Sequence, residues 1–144
     1  MKVLAGIDDS KSSGDVSRAI VAQFRTENTE VRVLHVLQAS APAPPQMASG
    51  YAPELEDQKK PAHELVERIA NGLRSAGFKV DTAVEVGDIR ETIIDSAAEW
   101  GADLIVVGSH GQSAIQRFLL GSVAEFVARH AKCSVEIVRA PVSI

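Results

Sequence analysis

Two hydrophobic periods alternate from one end of the chain to the other, and this alternation constrains the fold more than any other feature. Residues 3–7, Val-Leu-Ala-Gly-Ile, form a short apolar run that closes on the polar turn Asp8-Asp9-Ser10. Residues 12–26 carry apolar side chains at Val16, Ala19, Ile20 and Phe24, the stripe of an amphipathic helix. Residues 31–37 are strand-like again and rich in β-branched side chains. The clearest helical face covers residues 54–76, with Leu65, Val66, Ile69 and Leu73 upon it, and Gly77 stands in a terminator position. Residues 78–86 read as a third strand. Asp88 and Glu91 fit an N-cap and its partner for a helix running to Trp100. A fourth strand over 102–107, a last helix over 122–131 and a fifth strand over 135–138 complete the pattern.

A strand–helix unit repeated four times and closed by a strand implies a parallel sheet with right-handed crossovers and helices on both faces. The expected fold is therefore α/β and doubly wound, in one domain over residues 1–144. At 144 residues, 45 % hydrophobic and 24 % charged, such a domain buries a proper core without staples. Residues 39–53 interrupt the rhythm with Pro42, Pro44, Pro45, Gly50 and Pro53, as a loop leaving the second strand. It reads as a slack connection or as a lid. The net charge of −4 with no basic stripe argues against nucleic acid as a partner. No apolar run approaches the ~20 residues of a membrane helix, and no signal peptide is expected. The single cysteine, Cys133, fits a reducing compartment. A cytoplasmic protein without a membrane partner is the expectation.

Residues 104–123 say most about function. The apolar run Leu-Ile-Val-Val ends at Gly108, Gly111 follows after two residues, and Gly121-Ser122 follows after nine more and opens an amphipathic segment. A strand end, a glycine loop and a helix N-terminus gather backbone N–H groups into a site suited to phosphate. The same glycines serve equally as turn punctuation. Ser122 and Glu125 match the S-x-x-E capping box, which places the helix start at Gly121-Ser122. Neither the Walker loop nor G-x-G-x-x-G is present. In open α/β sheets ligands bind beyond the carboxyl ends of the strands, where the strand order reverses. If strands one and four are neighbours, Asp8 and the glycine loop share a crevice, acidic for a ribose and amide-lined for phosphates. Asp8 and Asp9 also suit a turn or cap role. His35 reads as a packed, hydrogen-bonded residue; His110, inside the loop, reads as a ligand contact or an exposed histidine. His63 and His130 are not at metal-like spacing, and no metal cluster or nucleophile elbow is present, so no catalytic residue and no metal ligand is assigned.

The signature Gly108-x2-Gly111-x9-Gly121-Ser122, with Val106-Val107 before it and Val123-Ala-Glu after it, resembles the ATP-binding signature of the universal stress protein family. The likeness extends over nearly the whole chain, from the opening Val-Leu-Ala-Gly-Ile-Asp-Asp-Ser through Leu34-His35-Val36 and Gly87-Asp88 to residues 134–139. It implies a five-stranded sheet in the order 3-2-1-4-5, with strands one and four adjacent. It implies that Asp8 meets the ribose or adenine, that Ile7 and Val36 flank the base, and that Gly108 and Gly111 admit the ribose and phosphates. It also implies that Ser122 and the N–H groups of Gly121 to Val123 hold the terminal phosphates. Val107 and His110 complete the candidate set, and Gln112 and Arg117 are phosphate candidates by position only. ATP with Mg2+ is the implied cofactor, and a homodimer through the last strand, from Val135 to Val138, is the implied assembly. Glu136 departs from the purely apolar version of that strand, and a charge on an edge also opposes pairing.

The reading that follows is an ATP-binding regulatory protein with an unidentified protein partner and at most slow hydrolysis. An efficient hydrolase needs cationic clamps and a residue to position water, and the signature holds only Arg117. A phospho-receiver needs an Asp ending strand three and a Lys ending strand five, where this chain has Glu85 or Val86 and Arg139. A dimeric scaffold with an empty cleft is the remaining alternative.

Overall fold

The computed structural model describes residues 1–38, 53–110 and 120–140. Strands and helices alternate in it: β1 (Lys2–Gly6), α1 (Ser12–Gln23), β2 (Glu30–Gln38), α2 (Pro53–Ser75), β3 (Lys79–Gly87), α3 (Ile89–Trp100), β4 (Leu104–Gly108), α4 (Ser122–His130) and β5 (Ser134–Val138), with a 3-10 turn at Thr26–Asn28. Every neighbouring pair of strands is parallel, in the order β3-β2-β1-β4-β5. Both the doubly wound class and the order expected from the resemblance are therefore observed. The loop expected over 39–53 lies outside the described residues up to residue 52, and α2 already begins at Pro53.

Alternation of side chains across the sheet divides the core in two. Val3, Ala5, Val33 and Val106 face α1 and α2, meeting Val16, Ile20, Val66 and Leu73. Leu4, Leu34, Ile105 and Val107 face α3 and α4, meeting Ile93, Ala97, Ala124 and Val127. The middle of β1 is flanked by strands and covered on both faces, which leaves Val3, Leu4 and Ala5 with no exposed surface.

Local chemistry decides where the elements stop. Strand β1 ends at Gly6, one residue before the expected Ile7, although the Ile7 N–H still donates to the Leu34 carbonyl (2.9 Å). Helix α1 stops at Gln23 rather than residue 26. Phe24 is extended (φ −113°, ψ 150°), and its ring packs against the core under α1 and α2. Helix α2 continues through the exposed Pro61, whose missing N–H costs the Asp57 carbonyl its helical donor. Helix α3 is capped as expected: the Asp88 carboxylate accepts the Glu91 N–H (3.1 Å), and Gly101 closes the other end in the left-handed conformation (φ +76°). Asp88→Ala is expected to cost about 1 kcal/mol and to lower the melting temperature by roughly 2–4 °C, as read from a circular dichroism melt.

The capping box expected at the next helix does not form. The cap of α4 is Gly121 with no side-chain hydrogen bond, and Ser122 is already helical. The Gly121 N–H is bonded to the Ser109 carbonyl (2.7 Å), which fixes the turn into the helix one residue early. The Glu125 N–H goes to the Gly121 carbonyl (3.0 Å), and its carboxylate pairs with Arg129 (3.1 Å).

At the far end of α3, Trp100 is gripped by two cations. The Arg32 guanidinium lies 4.7 Å and Lys2 Nζ 5.3 Å from its ring centroid, and Lys2 Nζ also donates to the Trp100 carbonyl (3.1 Å). Arg32 is held by a two-pronged pair with Asp81 (2.8 and 2.9 Å), and that hydrogen bonding pushes the guanidinium further towards its charged form. On β5, Val135 and Ile137 turn to the α3–α4 core. Glu136 points to the other face, where its Oε2 is buried with no hydrogen-bond partner among the described residues. Burial pushes the Cys133 thiol up, which favours its protonated form.

Candidate functional site

Strands β1 and β4 lie side by side, with Gly6 paired to Val107. This meets the condition for a shared crevice. A cleft of about 1150 Å³ opens over their carboxyl ends. The chain after β1 brings Ile7 and Asp8 to it, and β2 brings Val36. Val107 and Gly108 come from the end of β4, with His110 beyond it. Gly121, Ser122 and Val123 come from the start of α4. Of the candidate contacts, Gly111, Gln112 and Arg117 lie outside the described residues.

Three local arrangements build the site. At Gly108 the first turn of α1 presses on the end of β4. A Cβ there would lie 2.8 Å from Ser12 Cβ and 3.0 Å from Ser12 Oγ, so only glycine fits. Next, the buried Ser109 ties two elements together through its backbone. Its N–H donates to the Val138 carbonyl at the end of β5 (2.8 Å), and its carbonyl accepts the Gly121 N–H (2.7 Å). Helix α4 thereby starts beside the end of β4. Its first-turn N–H groups have no intrahelical acceptor and no side-chain cap, so they face the cleft as donors backed by the helix dipole. Finally, the β1–α1 turn uses one oxygen of Asp8. Asp8 Oδ1 accepts from Ser10 Oγ, with Ser12 Oγ at 3.5 Å. The other oxygen has no hydrogen bond among the described residues, so the turn role leaves it available.

His35 has the packed role expected of it: Nδ1–H donates to the Ile7 carbonyl (2.9 Å), which also fixes that nitrogen as the protonated one. This bond holds the Ile7 backbone at the cleft floor. His110 lines the cleft with Nδ1 3.0 Å from Ser109 Oγ, and its Nε2 is buried without a partner among the described residues.

Sequence reasoning missed Ser12, Ser109 and Arg68. Ser12 and Ser109 look like ordinary turn residues until β4, α1, β5 and α4 are assembled. Arg68 comes from the exposed face of α2 and is the one Lys or Arg lining the cleft among the described residues. It stands on the opposite face of the sheet from α4, so it does not complete a cationic clamp around the α4 N-terminus. Residues Ile89 and Ile93 of α3, with Val123 and Ala124 of α4, give the cleft an apolar wall.

The family model described as "Universal stress protein family" matches residues 1–139. The universal stress protein YxiE of Bacillus subtilis is 30 % identical over 145 residues, which cover 96 % of this chain and 98 % of that protein. Among solved structures, the protein MJ0577 superposes with a TM-score of 0.84 at 29 % identity, covering 99 % of this chain and 97 % of its own. A universal stress protein in complex with cAMP superposes with a TM-score of 0.68 at 28 % identity, covering 96 % of each chain. No helix among the described residues is long and apolar enough to cross a membrane.

Proposed function

This chain belongs to the universal stress protein family, and on that premise we propose that it is a regulatory protein whose cleft takes an adenine nucleotide, ATP foremost. The observation that carries the reading is the pair of backbone hydrogen bonds made by Ser109, which fixes an uncapped helix N-terminus in the same cleft as Asp8. The phosphates go to the N–H groups of Ser122 and Val123, with the Ser122 hydroxyl beside them. Gly108, bare of a side chain, lets the ligand approach the backbone. Ile7 and Val36 supply apolar contacts for the base, and the unengaged oxygen of Asp8 accepts from a ribose hydroxyl. The cAMP complex of a relative at 28 % identity supports adenine as the base.

Magnesium enters as the counter-ion of the triphosphate. Among the described residues no group of three or more His, Cys, Asp or Glu side chains converges as metal ligands. Phosphoryl transfer is catalysed by clustered cations and a positioned water, and among the described residues Arg68 alone is a cation of the cleft and stands on the other face of the sheet from α4; in this reading the bound nucleotide acts by its presence, setting conformation or partner affinity. The protein works as a homodimer through β5, whose outer edge offers unpaired backbone groups.

The test is to denature the purified protein and chromatograph what it releases, beside Gly121→Asp. Gly121 has φ −62°, which any residue adopts, and Asp is a good helix cap. The backbone is therefore compatible with Asp, whose carboxylate occupies the first-turn donors and repels phosphate, and circular dichroism checks that the variant is folded. Near-stoichiometric adenine nucleotide from the wild type and none from the variant is the expected result. No release, together with no thermal shift on adding ATP and magnesium, would replace this reading by a scaffold with an empty cleft.

A further inference from the structure

His110 has one ring nitrogen engaged and the other stranded. Nδ1 lies 3.0 Å from Ser109 Oγ, whereas Nε2 is buried with no hydrogen-bond partner among the described residues. A desolvated polar atom without a partner is costly and rare in folded proteins. The neighbouring backbone has little freedom to relieve it, because Ser109 is bonded on one side to β5 (2.8 Å) and on the other to the start of α4 (2.7 Å). His110 lines the same cleft as the first turn of α4.

The α4 N-terminus carries fixed positive partial charge, and an imidazole that gains a proton adds a donor and a full positive charge. Each is favoured by an anion close by and neither is favoured by the other alone. We propose that nucleotide binding in this cleft is proton-coupled: in the free protein Nδ1–H of His110 donates to Ser109 Oγ and Nε2 is the bare nitrogen, and as the phosphate enters Nε2 takes up a proton and donates to it. The inference rests on the nucleotide reading above and adds regulation to it. Affinity rises as the pH falls through the range in which histidines change charge, about 8 to 5.

The other titratable groups lining the cleft are Asp8 and Asp9 of the β1–α1 turn, His35 of β2, and Asp57, Glu64 and Arg68 of α2. Helices α3 and α4 contribute none among the described residues, and Arg139, which follows β5, is exposed. As classes, carboxylates and guanidinium groups change charge outside this range. His35 is the competing histidine, and its Nδ1–H is already committed to Ile7.

The probe is cAMP, whose phosphodiester keeps one negative charge throughout, whereas terminal phosphates themselves titrate near about pH 6. Calorimetry at about pH 6 and about pH 8, in two buffers of different ionisation enthalpy, reads affinity and proton uptake together. The wild type is expected to bind roughly tenfold more tightly at the lower pH, the size of one charge-assisted contact, with net proton uptake. His110→Gln and His110→Asn lose both dependences, and His35→Gln keeps them. If both position-110 variants fold but no longer bind, uptake by the wild type that survives His35→Gln still supports the proposal. Equal slope and uptake in the wild type and His110→Gln, or neither in the wild type, would overturn proton coupling and leave nucleotide binding standing. No binding of cAMP, AMP or ATP at either pH would overturn the nucleotide reading and the coupling with it.

Discussion

Gly108→Ala is expected to cost about 1–3 kcal/mol of stability, the usual penalty for overpacking, and to weaken nucleotide retention in the same stroke. The added methyl would sit 2.8 Å from Ser12 Cβ, an atom fixed to the first turn of α1 rather than the swinging tip of a long side chain. Either α1 lifts or the end of β4 tilts, and both walls of the cleft belong to those elements. For a chain of this size each kcal/mol moves the melting temperature by roughly 2–4 °C. Ser12→Gly removes the opposing atom, so the double variant should recover part of the loss, with a coupling of about 1 kcal/mol or more between the two sites. Thermal melts of the four proteins decide it. Additive losses, or a Gly108→Ala protein that melts with the wild type, would show that this contact is not what reserves position 108 for glycine.

Leu4→Ala should be more damaging to the fold, at about 2–5 kcal/mol. Leu4 has no exposed surface, lies in the central strand and faces the core that α3 and α4 close. Strands on both sides and helices above leave little room for the structure to collapse into the space. Against a typical total of about 5–15 kcal/mol, the loss puts the variant close to its limit. Val21→Ala, on the exposed face of α1 at 46 % exposure, is the control and should change stability by less than about 0.5 kcal/mol. Urea titrations of both variants give the comparison. Equal midpoints would mean that the central strand is far less tightly packed than its burial implies.

The features readable from the sequence are those written in local chemistry. The run Leu104–Gly108 declares a buried strand by itself, Asp88 and Glu91 sit three apart as a cap requires, and Gly77 marks a helix end with positive φ. Layering followed from the alternation of periods. The strand order did not, because the alternation limits the connections without choosing among arrangements of strands; it came with the resemblance. What stayed hidden depends on partners distant in sequence. The cap of α4 is set by Ser109 reaching Gly121 across the loop, so the serine that matches a capping box locally is one residue out of place. The end of α1 is set by where the Phe24 ring finds the core, not by the stripe that precedes it. The pressure on Gly108 comes from Ser12, on the far side of β2, α2 and β3 in the chain. Neither the Asp8 oxygen nor the His110 nitrogen that lacks a partner among the described residues is visible before those contacts are assembled.

The grip of Lys2 and Arg32 on Trp100 has a spectroscopic consequence. The chain has one tryptophan, and it stands at the last turn of α3, while Ile89 at the first turn borders the cleft. Twelve helical residues, about 18 Å of rise, separate the indole from that border of the cleft. Its fluorescence is tuned by two neighbouring cations that let go when β1 and β2 part from α3. Light from this residue therefore keeps time with unfolding, an internal clock for stability.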